Sequence, residues 1–117
     1  MSTRSQVKVI STEFTIPIYL YQHYDGYGLF EIVSNAIKRG KSRWNDPEYL
    51  TRIIFSEMLM SGSYDDHNAL NDTIGYGIGT SEHGDIDYLV TVNIDDQTIQ
   101  VNNDPSVTFK EVNSRVF

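Results

Sequence analysis

The chain contains no cysteine, which excludes a disulfide scaffold, a thiolate zinc site and a cysteine nucleophile. It holds only three prolines and no apolar run longer than a few residues, so no segment reads as a membrane span. The start Met1-Ser2-Thr3-Arg4 lacks the apolar stretch that a secretory signal needs. Cytoplasmic placement is therefore the expectation. Basic residues are missing from half of the sequence. From Ile53 to Phe109 there is no lysine or arginine against ten carboxylates, whereas residues 1–52 carry seven basic and five acidic side chains. The net charge is −7. Such a field repels a phosphate backbone, because duplex binding depends on several cations displacing condensed counterions. General nucleic-acid binding is not expected, nor is a membrane partner. The cluster Lys38-Arg39-Gly40-Lys41-Ser42-Arg43 is the local exception, and reads either as a solvated helix end or as an anion site.

What is present suffices for one folded unit. A chain of 117 residues buries roughly two thirds of its unfolded surface, and no repeat or linker divides residues 1–117. Gln6 to Ile10 alternates as a strand. Glu13 to Tyr21 sets Phe14, Ile16, Ile18 and Leu20 against Thr15, Pro17, Tyr19 and Tyr21. Pro17 cannot donate to a ladder, so this second strand is expected at an edge, or with that position turned away from its neighbour. Leu29, Ile32, Val33, Ala36 and Ile37 then follow helical spacing up to Gly40. Asp46, Pro47 and Glu48 start a second helix that runs to about Ser61, where Gly62 stops it. Glu57 falls on its apolar surface and must be paired, protonated or at the rim; a catalytic role is the alternative.

Ser63 to Asn71, with His67, reads as a polar loop. Three strands follow at Thr73–Thr80, Asp85–Asn93 and Thr98–Asn102, joined by turns at Ser81–Gly84 and Ile94–Gln97. The expected fold is α+β, in chain order ββααβββ, with two helices on one face of a largely antiparallel sheet. Residues 103–117 are a flexible tail or supply an extra edge strand at Val107–Val112.

Three features could carry chemistry. Gly75, Gly77 and Gly79 leave one strand face bare, which suits close approach by a helix, an aromatic neighbour or a ligand. The loop His23-Tyr24-Asp25-Gly26-Tyr27-Gly28 precedes a helix start whose free N–H groups favour an anion, either the Asp25 carboxylate or a bound phosphate. The tripeptides His23-Tyr24-Asp25 and His83-Gly84-Asp85 share a His-x-Asp spacing that would present imidazole and carboxylate together. If both met at one end of the sheet, His23 and His83 could hold a metal, and His23, Asp25, His83 and Asp85 could work as acid and base. Turn chemistry explains Gly84 and Asp85 unaided. No nucleophile elbow, P-loop, metalloprotease helix or calcium-loop spacing occurs.

The start Met1-Ser2-Thr3-Arg4, the run Tyr21-Gln22-His23-Tyr24-Asp25-Gly26-Tyr27-Gly28 and the segment His83-Gly84-Asp85-Ile86-Asp87-Tyr88 resemble a small, largely uncharacterised protein family of bacteriophages and bacteria. The likeness runs from residue 1 to about residue 101. Gly28 stands where that family usually has proline. The resemblance implies no activity and no cofactor, only that the Asp25 and His83 loops matter and that a phage setting, host cytoplasm included, is in play. The reading ranked first is therefore a binding protein without turnover that sequesters a small phosphorylated ligand such as a nucleotide, in counter-defence. Tyr24, Asp25, Gly26, Tyr27, Gly28 and His83 would form its site, with Arg4 or Arg43 neutralising the phosphate. An acidic inhibitor of a host protein by charge mimicry ranks second, and a metal-dependent hydrolase third. Chains of this size often build a pocket across a two-fold interface, so a homo-oligomer is a further expectation.

Overall fold

The computed structural model describes residues 4–23, 28–62, 69–71 and 73–115. These residues form an α+β domain with a six-stranded, mostly antiparallel sheet and, among them, three α-helices. The strands are β1 (Ser5–Ile10), β2 (Ile18–Gln22), β3 (Tyr76–Gly79), β4 (Tyr88–Asn93), β5 (Thr98–Val101) and β6 (Val107–Thr108). The helices are α1 (Leu29–Arg39), α2 (Pro47–Ser61) and α3 (Phe109–Asn113). The spatial order is β3-β2-β1-β4-β5-β6, and β1 and β4 run parallel at its centre.

The register explains the layering. Val7 lies between Leu20 and Val90, and Val9 between Ile18 and Val92. These residues, with Ile99, share one face. They form a single core with Leu29, Val33, Ala36 and Ile37 of α1, and with Leu50, Ile54 and Met58 of α2. Both long helices begin and end where their sequence signals lie, with Gly40 and Gly62 following the last helical residues. Gly62 has a packing reason as well, since a Cβ there would stand 1.9 Å from the Tyr76 hydroxyl. Asp46 makes no side-chain cap and instead faces Arg43 at 3.7 Å. Glu57 is held by Arg39, whose Nε donates to its carboxylate at 3.1 Å.

Of the two placements expected for the second strand, the edge is not the one found: β2 lies between β1 and β3 and starts at Ile18 rather than near Glu13, so Pro17 and its missing N–H fall outside the ladder. The turn at Ser81–Gly84 does not close a hairpin. β3 and β4 are separated by β2 and β1, and residues 80–87 cross from one to the other. Val90 and Val92 bury their side chains best beside Val7 and Val9, while the glycine strand, with little to bury, goes to the edge. The chain order accordingly gains two elements beyond ββααβββ. An extra edge strand is present at Val107–Thr108, but a helix follows where the strand was expected to continue to Val112. β6 is two residues long and leads into α3, whose Phe109 and Val112 are wholly buried. Thr108 starts α3 by accepting the Glu111 N–H at 3.0 Å.

Candidate functional site

The sheet face opposite the helices carries Gln6 and Lys8 from β1, Tyr19 and Tyr21 from β2, Gly77 and Gly79 from β3, and Leu89 and Thr91 from β4. Tyr21 pairs across the ladder with Gly77, and Tyr19 with Gly79. The close approach expected over the glycine face is not found: Tyr21 and Tyr19 are cross-strand partners, but a Cβ at Gly77 or Gly79 would meet nothing within 4 Å, and Gly75 precedes the strand at φ 94°.

The crossing segment 80–87 runs over one end of this face. Its His83 ring stacks on Tyr21, with centroids 4.2 Å apart and planes 18° from parallel. The His83 backbone N–H donates to Gln6 Oε1 at 3.2 Å. Asp85 forms an ion pair with Arg4, and the Arg4 carbonyl accepts the Asp87 N–H at 2.9 Å. Across the strand, the Tyr21 hydroxyl lies 3.4 Å from His23 Nδ1. Two of the sequence-selected histidines thus touch the same aromatic side chain, one on its ring and one at its hydroxyl.

Between this segment and the sheet lies a cleft of about 220 Å³, lined by Gln6, Glu82, His83, Gly84, Ile86, Leu89 and Asn102. Gln6 is 0% exposed, and among the described residues its Nε2 has no hydrogen-bond partner, as the adjacent Ser5 Oγ has none. The bond from the His83 N–H fixes which end of the amide is oxygen, so the orphaned group is the donor. A buried unpaired donor costs about 1–3 kcal/mol, and proteins retain few of them. On the far wall, Asn102 has φ 50° and exchanges bonds with Leu89. Its N–H donates to the Leu89 carbonyl at 2.8 Å, and its Oδ1 accepts the Leu89 N–H at 2.9 Å.

The remaining sequence-selected residues are distributed as follows. Tyr24, Asp25, Gly26 and Tyr27, with His67, lie outside the described residues. Gly28 directly precedes α1, so it borders the helical layer rather than the cleft. Arg4 sits two positions before Gln6, on the cleft side of the sheet. Arg43 lies at the other end: the neighbouring Asn45 bonds Gln97 in the β4–β5 turn, and the Arg43 guanidinium stands 4.9 Å over the Tyr49 ring. The structure does not bring Arg43 to His83. Among the described residues no three His, Asp or Glu side chains group closely enough to hold a metal ion.

Gln6, Lys8, Tyr21 and Asn102 were not selected from the sequence. Gln6 and Lys8 alternate with Val7 and Val9, which was enough to put them on the second face. Their place beside the His83 segment depends on the crossover. No protein-family model, curated protein or solved structure matches the chain.

Proposed function

We propose that the protein binds a small phosphorylated ligand of the nucleotide class, without turnover, and that the cleft beneath the crossing segment takes its heterocycle. The observation that carries this reading is the Gln6 side chain, which lines the cleft and whose Nε2, closed to solvent, is a donor without a partner among the described residues; binding turns that amide toward the ligand. A heterocycle edge supplies the acceptor it lacks, and Glu82 offers an acceptor for a ring N–H. Drug-sized ligands occupy about 300–1,000 Å³. A cleft of about 220 Å³ admits one ring system and leaves the rest of the ligand outside. Arg4, directly before β1 and paired with Asp85, and Lys8 within β1 flank Gln6 on the same side of the sheet, and Lys8 supplies the cation for a phosphate in that position. In the phage setting that the sequence resemblance implies, sequestering such a ligand would serve counter-defence.

Calorimetric titration with mono-, di- and cyclic nucleotides tests this. Saturable heat with one class of base, lost in Gln6→Met, is expected; flat traces across the panel refute it. Inhibition of a host protein by charge mimicry is the second reading, favoured by the exposure of Glu82, Asp85, Asp87 and Asp104. Partner binding that falls steeply with added salt would support it instead.

A further inference from the structure

The two edges of the sheet are unequal. β6 is two residues long and passes directly into α3. β3 is four residues long, and from Thr73 to Ser81 there is no charge, no proline and no large polar side chain other than Tyr76 to guard it. The ladder fixes which backbone groups are left over. His23 N–H donates to the Gly75 carbonyl at 2.8 Å, which makes that pair a hydrogen-bonded one. By alternation Gly77 and Gly79 also bond inward to Tyr21 and Tyr19. The N–H and C=O of Ile78 then point out of the sheet. Its side chain is 66% exposed, and Ile74 and Leu70 nearby are 72% and 73% exposed.

We infer that β3 pairs with β3 of a second copy of this chain, antiparallel and across a two-fold axis at Ile78, to give one continuous sheet. Water satisfies an exposed strand backbone in the single copy, and the protein partner that replaces this water in register is another extended strand. This strand is complementary to itself. With Ile78 opposite Ile78 of the second copy, the two side chains meet on the helix face. On the other face Gly77 stands opposite Gly79 of the copy, where a Cβ would meet nothing. The absence of charge from Thr73 to Ser81 lets two chains of net charge −7 meet without like charges across the seam. The short β6 edge stops the assembly at two copies, because a head-to-tail contact would need a second strand of matching length. So short a seam falls in the weak, concentration-dependent class of interface.

The test is analytical ultracentrifugation of the full chain from about 5 μM to about 1 mM, with amide hydrogen exchange at both ends of that range. A shift from one to two copies is expected. The Ile78 amide should exchange about tenfold more slowly where nine tenths of the chains are paired. Ile78→Lys should remain a single copy at the concentration where the parent is half paired. A single species throughout overturns the inference, as does a dimer that leaves the Ile78 amide unprotected or persists in Ile78→Lys. The hydrogen-exchange arm uses the unaltered chain, so a folding defect in the variant does not remove the test. A parent chain that stays single but captures an added extended peptide at Ile78 would show a partner other than a second copy and would also overturn it.

Discussion

Replacing Gln6 by methionine separates a structural glutamine from one kept for a ligand. The two side chains have similar volume, so no cavity is created. The substitution removes the orphaned Nε2 and, with it, a desolvation cost of about 1–3 kcal/mol. It also removes the acceptor for the His83 N–H, worth about 0.5–1.5 kcal/mol. That N–H belongs to an exposed residue and can turn to water. The balance favours the variant by about 0.5–1.5 kcal/mol, or a rise in Tm of about 2–6 °C for a chain of this length. Urea and thermal unfolding followed by circular dichroism would measure it, with an unchanged m-value as the sign that the folded state is otherwise the same. A residue whose removal stabilises the fold while it abolishes binding is one held for function. Destabilisation of Gln6→Met by more than about 1 kcal/mol would show that the amide is satisfied in solution and is not held for a ligand.

Further outcomes follow from the packing. Phe109→Ala should lose about 3–5 kcal/mol in urea unfolding, because the ring is wholly buried and meets Trp44 edge-on at 5.5 Å; a loss under about 1 kcal/mol would mean that α3 is not part of the core. Gly62→Ala should cost about 1–3 kcal/mol by pushing the Tyr76 hydroxyl aside, and unchanged stability would place Tyr76 elsewhere. Glu57→Ala should cost no more than about 1 kcal/mol, with the difference from the parent shrinking in high salt, since Arg39 is 43% exposed. Asp85→Asn should raise hydrogen exchange in residues 83–87 with little change in global unfolding, because the Arg4 pair is on the surface; uniform protection would argue that the ion pair does not tie the crossing segment down.

Much of this architecture is visible in the sequence, for reasons that differ by element. The helices were legible because their signals agree at several levels: periodic Leu29, Val33 and Ile37, a stop at Gly40, and Asp46-Pro47-Glu48 ahead of the apolar run. The strands were legible as alternations, but not their neighbours. Ser81-Glu82-His83-Gly84 suits a tight turn and a crossover equally, and only the competition of Val90 and Val92 for the central position decides between them. α3 went unseen because it is five residues long, although Thr108-Phe109-Lys110-Glu111 is the spacing of a capping box. At the site, the His-x-Asp spacing drew attention to His83 and Asp85, yet their observed partners are Tyr21 and Arg4. Gln6 could be put on a face from the sequence. Its missing partner could not, since that depends on which loop crosses over it.

The most direct test of the ligand reading is a ¹⁵N NMR titration of the full chain with a nucleotide panel, following side-chain amides as well as the backbone. Saturable shifts should centre on the Gln6 side-chain amide and on the backbone of Glu82, His83, Gly84 and Asn102. A Gln6 side-chain signal that stays fixed, while other regions respond or nothing does, would contradict the account.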